Sequence, residues 1–143
     1  GKTQSGAKAG SNGGSGKPGT VEVTVSGSVT TSGANAHGIW AQGAGGSANS
    51  TSPGTQVEVN LNGSGSVLST GAGSIGIYAQ SVGDGRGEVE VNLNSTANFV
   101  VGDTAIYIKD APTSSILNNG GIGVNNASTG IAIQAENTKL TIT

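Results

Sequence analysis

The sequence has no cysteine and no methionine, and it carries only one Trp, one Phe and two Tyr. Without cysteine there are no disulfides and no thiolate metal sites. So few large apolar side chains argue against a conventional globule of 143 residues, whose core is usually filled by bigger groups. Charge is scarce as well, at 10% of residues. No run approaches the ~20 apolar residues of a membrane helix, so no membrane insertion of this segment is expected. No secretory leader pattern is present either, and the chain opens on Gly1 rather than Met. The expectation is a processed product or a piece of a longer parent chain.

The few charges are unevenly placed. Lys2, Lys8 and Lys17 make residues 1–19 basic, while the remainder holds three cations (Arg86, Lys109, Lys139) against eight acids, 3 − 8 = −5. An acidic body excludes nucleic acid as an expected partner, because phosphate binding needs clustered Lys or Arg.

What is abundant is glycine, 27 residues of it, with Ser, Thr and Asn filling most of the rest. Disordered chains share that bias, but they have few β-branched residues and usually a high net charge. Here the net charge is −2, and Val and Ile recur in short clusters. The clusters repeat. VEVTV begins at Val21, and VEVNLN begins at Val57 and again at Val89. A second cluster follows each: SVTTSG from Ser28, SVLSTG from Ser66, FVVGD from Phe99. A third follows that: GIWAQ from Gly38, GIYAQ from Gly76, AIYIK from Ala105. The series continues in weaker form with SIL at Ser115, GIGV at Gly121 and GIAIQ at Gly130, and KLTIT from Lys139 opens another unit. Unit starts lie 36 and 32 residues apart (57 − 21 and 89 − 57), and the extra length sits in Gly/Ser/Asn tracts at 43–55 and 82–87. These tracts read as loops.

Polarity alternates within each run. Val57, Val59 and Leu61 would face one way, and Glu58, Asn60 and Asn62 the other. This is the period of a half-buried strand, and the glycine density opposes helix. One such strand cannot hide its apolar side alone. Coiling the chain, so that equivalent strands stack in parallel, buries every inward side chain along one axis, and parallel crossovers are right-handed in nearly all cases. The expected fold is all-β: a right-handed parallel β-helix, or β-solenoid, of four to five irregular rungs over residues 20–143. Residues 1–19 are expected to form a flexible Gly/Ser/Lys arm, too rich in Gly and Ser to make a strand. Val21, Val57 and Val89 should align on one wall of the core, and Ile39, Ile77, Ile106 and Ile131 on another.

The strings HGIWAQGAGG (37–46) and IGIYAQSVGDG (75–85) resemble the GI-x-AQS-x-GG signature of autotransporter passenger domains, which are secreted bacterial surface proteins built on long β-helices. Ile39 and Ile77 match its inward apolar position, Trp40 and Tyr78 its variable outward one, and Ala41-Gln42 and Ala79-Gln80 its AQ pair. The tail from Asn125 to Thr143 is similar to degenerate rungs of that family. Asp84 and Arg86 interrupt the glycine run that follows the signature. The resemblance implies an extracellular place, at a bacterial surface or secreted, and a structural or adhesive role as a projected spacer or a filament subunit. Export by the autotransporter route is implied by the resemblance alone.

Several columns follow from stacking. Trp40, Tyr78 and Tyr107 occupy equivalent positions and should form an outward ladder. It would serve either as a contact strip for sugar rings or another protein, or as simple ladder packing. Glu22, Glu58 and Glu90 should align too. At the ~4.8 Å strand spacing, adjacent carboxylates repel by roughly 1–3.5 kcal/mol, depending on local dielectric. A hard cation bridging these carboxylates and the Asn60 and Asn92 oxygens is one reading, and a solvated polar ladder is the favoured one. Asn60 with Asn92, and Asn62 with Asn94, should form amide ladders that hold rungs together. No metal or cofactor is expected.

Asp84, Arg86 and Glu88 lie close together in a Gly-rich loop. They are the only candidates for the rival reading, a lyase or hydrolase acting on polysaccharide. His37 stands alone without partner ligands, and a lone histidine seldom marks a metal. Thr141-Ile142-Thr143 is the one clear Thr-x-Thr run, too little for an ice-binding ladder. The chain is therefore expected not to be an enzyme. Its expected partners are copies of itself or a longer parent chain, through open strand edges or the basic arm on an acidic neighbour, and host or matrix glycans.

Overall fold

A computed structural model describes residues 7–12, 19–45 and 55–143. Among these residues there are fourteen strands and no helix. The first three are β1 (Ala7–Asn12), β2 (Val21–Val25) and β3 (Ser28–Thr31). Then come β4 (Ile39–Ala44), β5 (Thr55–Leu61) and β6 (Ser66–Ser69), followed by β7 (Ile75–Val82), β8 (Arg86–Leu93) and β9 (Phe99–Gly102). The series closes with β10 (Thr104–Lys109), β11 (Thr113–Asn118), β12 (Gly121–Val124), β13 (Ile131–Glu136) and β14 (Lys139–Ile142).

These strands form three sheets in which every pairing is parallel. Sheet I has the order β1-β4-β7-β10-β13, sheet II β2-β5-β8-β11-β14, and sheet III β3-β6-β9-β12. The chain visits the sheets in the cycle I, II, III throughout. One apolar cluster draws on all three: Ile39, Ile77 and Ile106 from sheet I, Val57, Val59 and Leu61 from sheet II, Val67 and Val100 from sheet III. Its largest fully buried side chains are Ile, Leu and Val. A thin core of this kind explains how the chain manages with so few aromatics.

The repeats dictate the register. Val21 faces Val57, and Val57 faces Val89. Ile39 faces Ile77, and Ile77 faces Ile106. The next member of that column is Ile133, not the expected Ile131, which lies opposite Thr104 and is 44% exposed. A slip of two residues leaves the in/out alternation unchanged, so the hydrophobic pattern alone could not tell the two isoleucines apart. In β11 the core position opposite Val89 goes to Ser114, which is buried and accepts a 3.0 Å hydrogen bond from the Thr138 hydroxyl. That bond removes most of the penalty of a hydroxyl in the core.

The N-terminal segment also differs from expectation. Ala7–Asn12 is a strand, paired with β4 from Ala7 opposite Ile39 to Asn12 opposite Ala44. A parallel ladder is made by backbone groups, which Gly, Ser and Ala supply as well as larger residues do. Residues 1–6 and 13–18 of the expected arm, with Lys2 and Lys17, lie outside the described residues.

Corners tighten along the chain. Cross-rung partners are 38 residues apart at Thr31–Ser69 but 27 apart at Asp110–Asn137. Asp110 and Asn137 both adopt left-handed backbone (φ 59° and 52°), and the Asn137 amide donates to the Asp110 carboxylate at 3.0 Å. Asp and Asn tolerate that conformation better than most residues. At Gly83 (φ +90°) a Cβ would sit 2.2 Å from the Gly45 carbonyl oxygen, so the corner after β7 requires glycine.

Candidate functional site

The outward side of sheet I carries the aromatic column. Trp40 stands opposite Tyr78, and Tyr78 opposite Tyr107, with Gln134 next in line. The Trp40 and Tyr78 rings are 5.3 Å apart and tilted by 59°, and Tyr78 and Tyr107 are 5.2 Å apart and nearly perpendicular at 88°. All three are half-buried. Such edge-to-face pairs suit the ring quadrupole.

His37 joins the column, which the sequence reading did not foresee. Its ring lies parallel to Tyr78 (12°, 5.9 Å) and edge-on to Trp40 (64°, 5.8 Å). Its Nδ1 accepts a 3.3 Å hydrogen bond from the Ile75 backbone N–H. In the following rungs the equivalent N–H groups, of Thr104 and Ile131, donate to the Ser74 and Asp103 carbonyls. The imidazole therefore replaces a backbone acceptor at this corner. Burial pulls the His37 pKa below its ordinary value, which favours the neutral ring that can accept. The only signal in the sequence was position: His37 stands at the entry to the strand that carries Trp40.

A polar column runs beside the rings: Gln42 opposite Gln80, Gln80 opposite Lys109, Lys109 opposite Glu136. The two columns are tied together. The Tyr78 hydroxyl donates to Gln80 Oε1 at 2.7 Å, and the Tyr107 hydroxyl donates to the Glu136 carboxylate. Lys109 Nζ and Glu136 Oε1 form an ion pair at 2.9 Å. The Tyr107 hydrogen bond, and then Lys109, hold the Glu136 carboxyl below the usual range. In return Glu136 raises the Tyr107 hydroxyl, while burial raises that of Tyr78. This face thus combines ring surfaces with hydrogen-bonding groups one strand position away.

Sheet II carries the carboxylate column. Glu22 faces Glu58, and Glu58 faces Glu90, with Ser115 next. Each carboxylate has a neutral donor beside it: the Thr24 hydroxyl for Glu22 (3.3 Å), the Asn60 amide for Glu58 (2.8 Å), the Gln56 amide for Glu90 (3.3 Å). Burial, with Glu88 and Glu58 adding repulsion, pushes the Glu90 carboxyl up. Among the described residues no group of three or more His, Asp or Glu side chains is placed to hold a metal ion. The amide ladders are present: Asn92 donates to Asn60 at 3.0 Å and Asn94 to Asn62 at 2.9 Å. Asp84, Arg86 and Glu88 are all exposed, along the turn into β8 and its start.

The signature residues divide between core and corner. Ser81 is buried, donates to the Thr55 carbonyl at 2.7 Å and accepts from the Gly87 N–H at 2.8 Å, tying the end of β7 to the two strands that follow β4 and β7. Asn98 does similar work without any hint from the repeat: buried, it accepts from the Ser95 N–H and donates to the Gly63 and Gly65 carbonyls. No protein-family model, curated protein or solved structure matches this chain.

Proposed function

We propose that this chain is a structural or adhesive module of an extracellular bacterial β-solenoid, a right-handed parallel β-helix. It acts as a rigid surface spacer or fibre subunit and makes its contacts through the outer side of sheet I. The observation that carries this reading is the stacking of the two signature copies. Ile39 on Ile77, Trp40 on Tyr78, Ala41 on Ala79 and Gln42 on Gln80 are all in register across β4 and β7. The unvarying I, II, III cycle and the shared core support a closed coil, and the strong preference of parallel crossovers supports its right hand. The resemblance to autotransporter passengers supports the location. Copies of the chain, or further rungs of a parent chain, are the proposed structural partners.

Antibodies raised against the chain test the location on cells that produce it. Labelling of intact cells is the expected result, and labelling only after permeabilisation would refute it. A second assay addresses the rival chemistry. Release of reducing ends or unsaturated uronates from polysaccharides would replace this reading with a carbohydrate-active enzyme, and Asp84, Arg86 and Glu88 would then be the residues to substitute first.

A further inference from the structure

We propose that the outer side of sheet I binds a neutral, β-linked glycan chain laid along the stacking direction. Trp40, Tyr78 and Tyr107 would offer ring contacts, and Gln42, Lys109 and Glu136, in the polar column beside them, would hydrogen-bond the sugar hydroxyls. The proposal rests on the contact-strip reading above and names what the strip contacts.

Three observations point to sugar. The rings recur at 5.3 and 5.2 Å along one line. An extended chain of equatorially linked pyranoses advances by about one ring length per sugar, which is comparable to the ~4.8 Å strand spacing, so successive sugars would lie close to successive rungs. Pyranoses also need two kinds of contact, an apolar surface for their C–H faces and paired donors and acceptors for their hydroxyls. The strip supplies both in adjacent columns, already joined by the Tyr78–Gln80 and Tyr107–Glu136 bonds. Finally, Lys109 and Glu136, the charges among the described side chains of the strip, neutralise each other at 2.9 Å. An acidic polysaccharide would face a chain of net negative charge.

A stable protein interface takes about 800 Å² from each side around a desolvated centre. A half-buried ring column with a polar column beside it suits a chain laid along the stack better than a broad protein face.

Trp40 is the only tryptophan of the chain, so its fluorescence reports on the strip directly. The full chain is titrated with cellohexaose, chitohexaose and, as a compact α-linked control, maltohexaose. Saturable changes are expected with one or both β-linked probes and none with maltohexaose. Tyr78→Ala should weaken binding by about tenfold or more. Tyr78→Phe keeps the ring and should cost a few-fold at most, and Phe99→Ser, an exposed aromatic on sheet III, should change nothing. Should Tyr78→Ala fail to fold, the unaltered chain still decides the matter by NMR. Bound sugar should shift Tyr107 and Lys109 signals while leaving those of Glu22 and Glu58 in place. No saturable change with any probe, an equal response to maltohexaose, or equal weakening by Phe99→Ser would overturn the proposal. Attachment of producing cells to a matrix that depends on Tyr78 but survives glycosidase treatment of the matrix would also overturn the glycan, and keep sheet I as the contact face. Attachment independent of Tyr78 would remove both.

Discussion

Sheets I and II build their outward columns by the same rule, one equivalent residue from each rung, and the consequences of alignment differ. On sheet I the aligned residues are aromatic, and like attracts like: Tyr78 touches His37, Trp40 and Tyr107 at centroid distances of 5.2–5.9 Å. On sheet II they are carboxylates, and like repels like. The acids on sheet II are accommodated by neutral donors at the neighbouring positions, Thr24, Gln56 and Asn60, while the asparagines beside them self-pair across rungs. In-register parallel stacking thus amplifies whatever chemistry the repeat carries. Aromatics and amides pair with their own kind when repeated, whereas each repeated acid here has a neutral donor, hydroxyl or amide, beside it.

The comparison breaks altogether if the shared core is removed. Val59 of sheet II and Ile77 of sheet I are both fully buried in the one apolar cluster. Val59→Asp and Ile77→Asp should each cost about 3 kcal/mol or more in chemical denaturation, because each buries an unpaired carboxylate. Near-native stability in Val59→Asp would contradict the stacked core.

Next in size is the contrast between the columns themselves. Tyr78→Ser deletes the middle ring and should lower stability by about 1.5–3 kcal/mol. Glu58→Gln removes the middle charge and should raise it, by about 0.5 kcal/mol given the exposure of that face. A stability loss in both variants would mean that sheet II carboxylates do more than repel. In Tyr78→Ser, binding should fall by about tenfold or more even where the variant is fully folded. If the folded variant binds as the parent chain does, the ladder is structural only.

These columns were legible in the sequence because VEVNLN and GI-x-AQ repeat almost verbatim, and identical text in a parallel stack must align. Legibility failed where the repeat carries no side-chain signal. The Gly, Ser and Ala of β1 give no alternating pattern to read, and Ile131 and Ile133 differ by one strand period. Ser114 and Asn98 are buried by virtue of specific partners, which polarity-based reading assigns to the surface. His37 reads as a lone histidine because two of its partners, the Tyr78 ring and the Ile75 N–H, come from the next rung, 38 residues on for the Ile75 bond.

The smallest effect is also the most diagnostic, because acid should move the two faces in opposite directions. His37 has its pKa lowered from 6.5 by burial. The folded chain therefore favours the neutral ring, and this contribution is complete above pH 6.5 and is lost as pH falls from there through the folded value. Protonation turns Nδ1 from acceptor into donor, facing the Ile75 N–H it now receives. Glu90 has its pKa raised from 4.5 by burial and by Glu88 and Glu58. Its protonated form is favoured in the fold, so its contribution is complete below pH 4.5 and disappears as pH rises through the folded value. Acidification should first weaken the sheet I corner and then, at lower pH, relieve sheet II. Denaturation curves across pH 7.5 to 4 for the parent chain, His37→Gln and Glu90→Gln separate the two. His37→Gln should flatten the decline just below pH 6.5, and Glu90→Gln should remove the partial recovery nearer pH 4.5. A decline that persists unchanged in His37→Gln would show that the imidazole acceptor at Ile75 is not what acid disrupts.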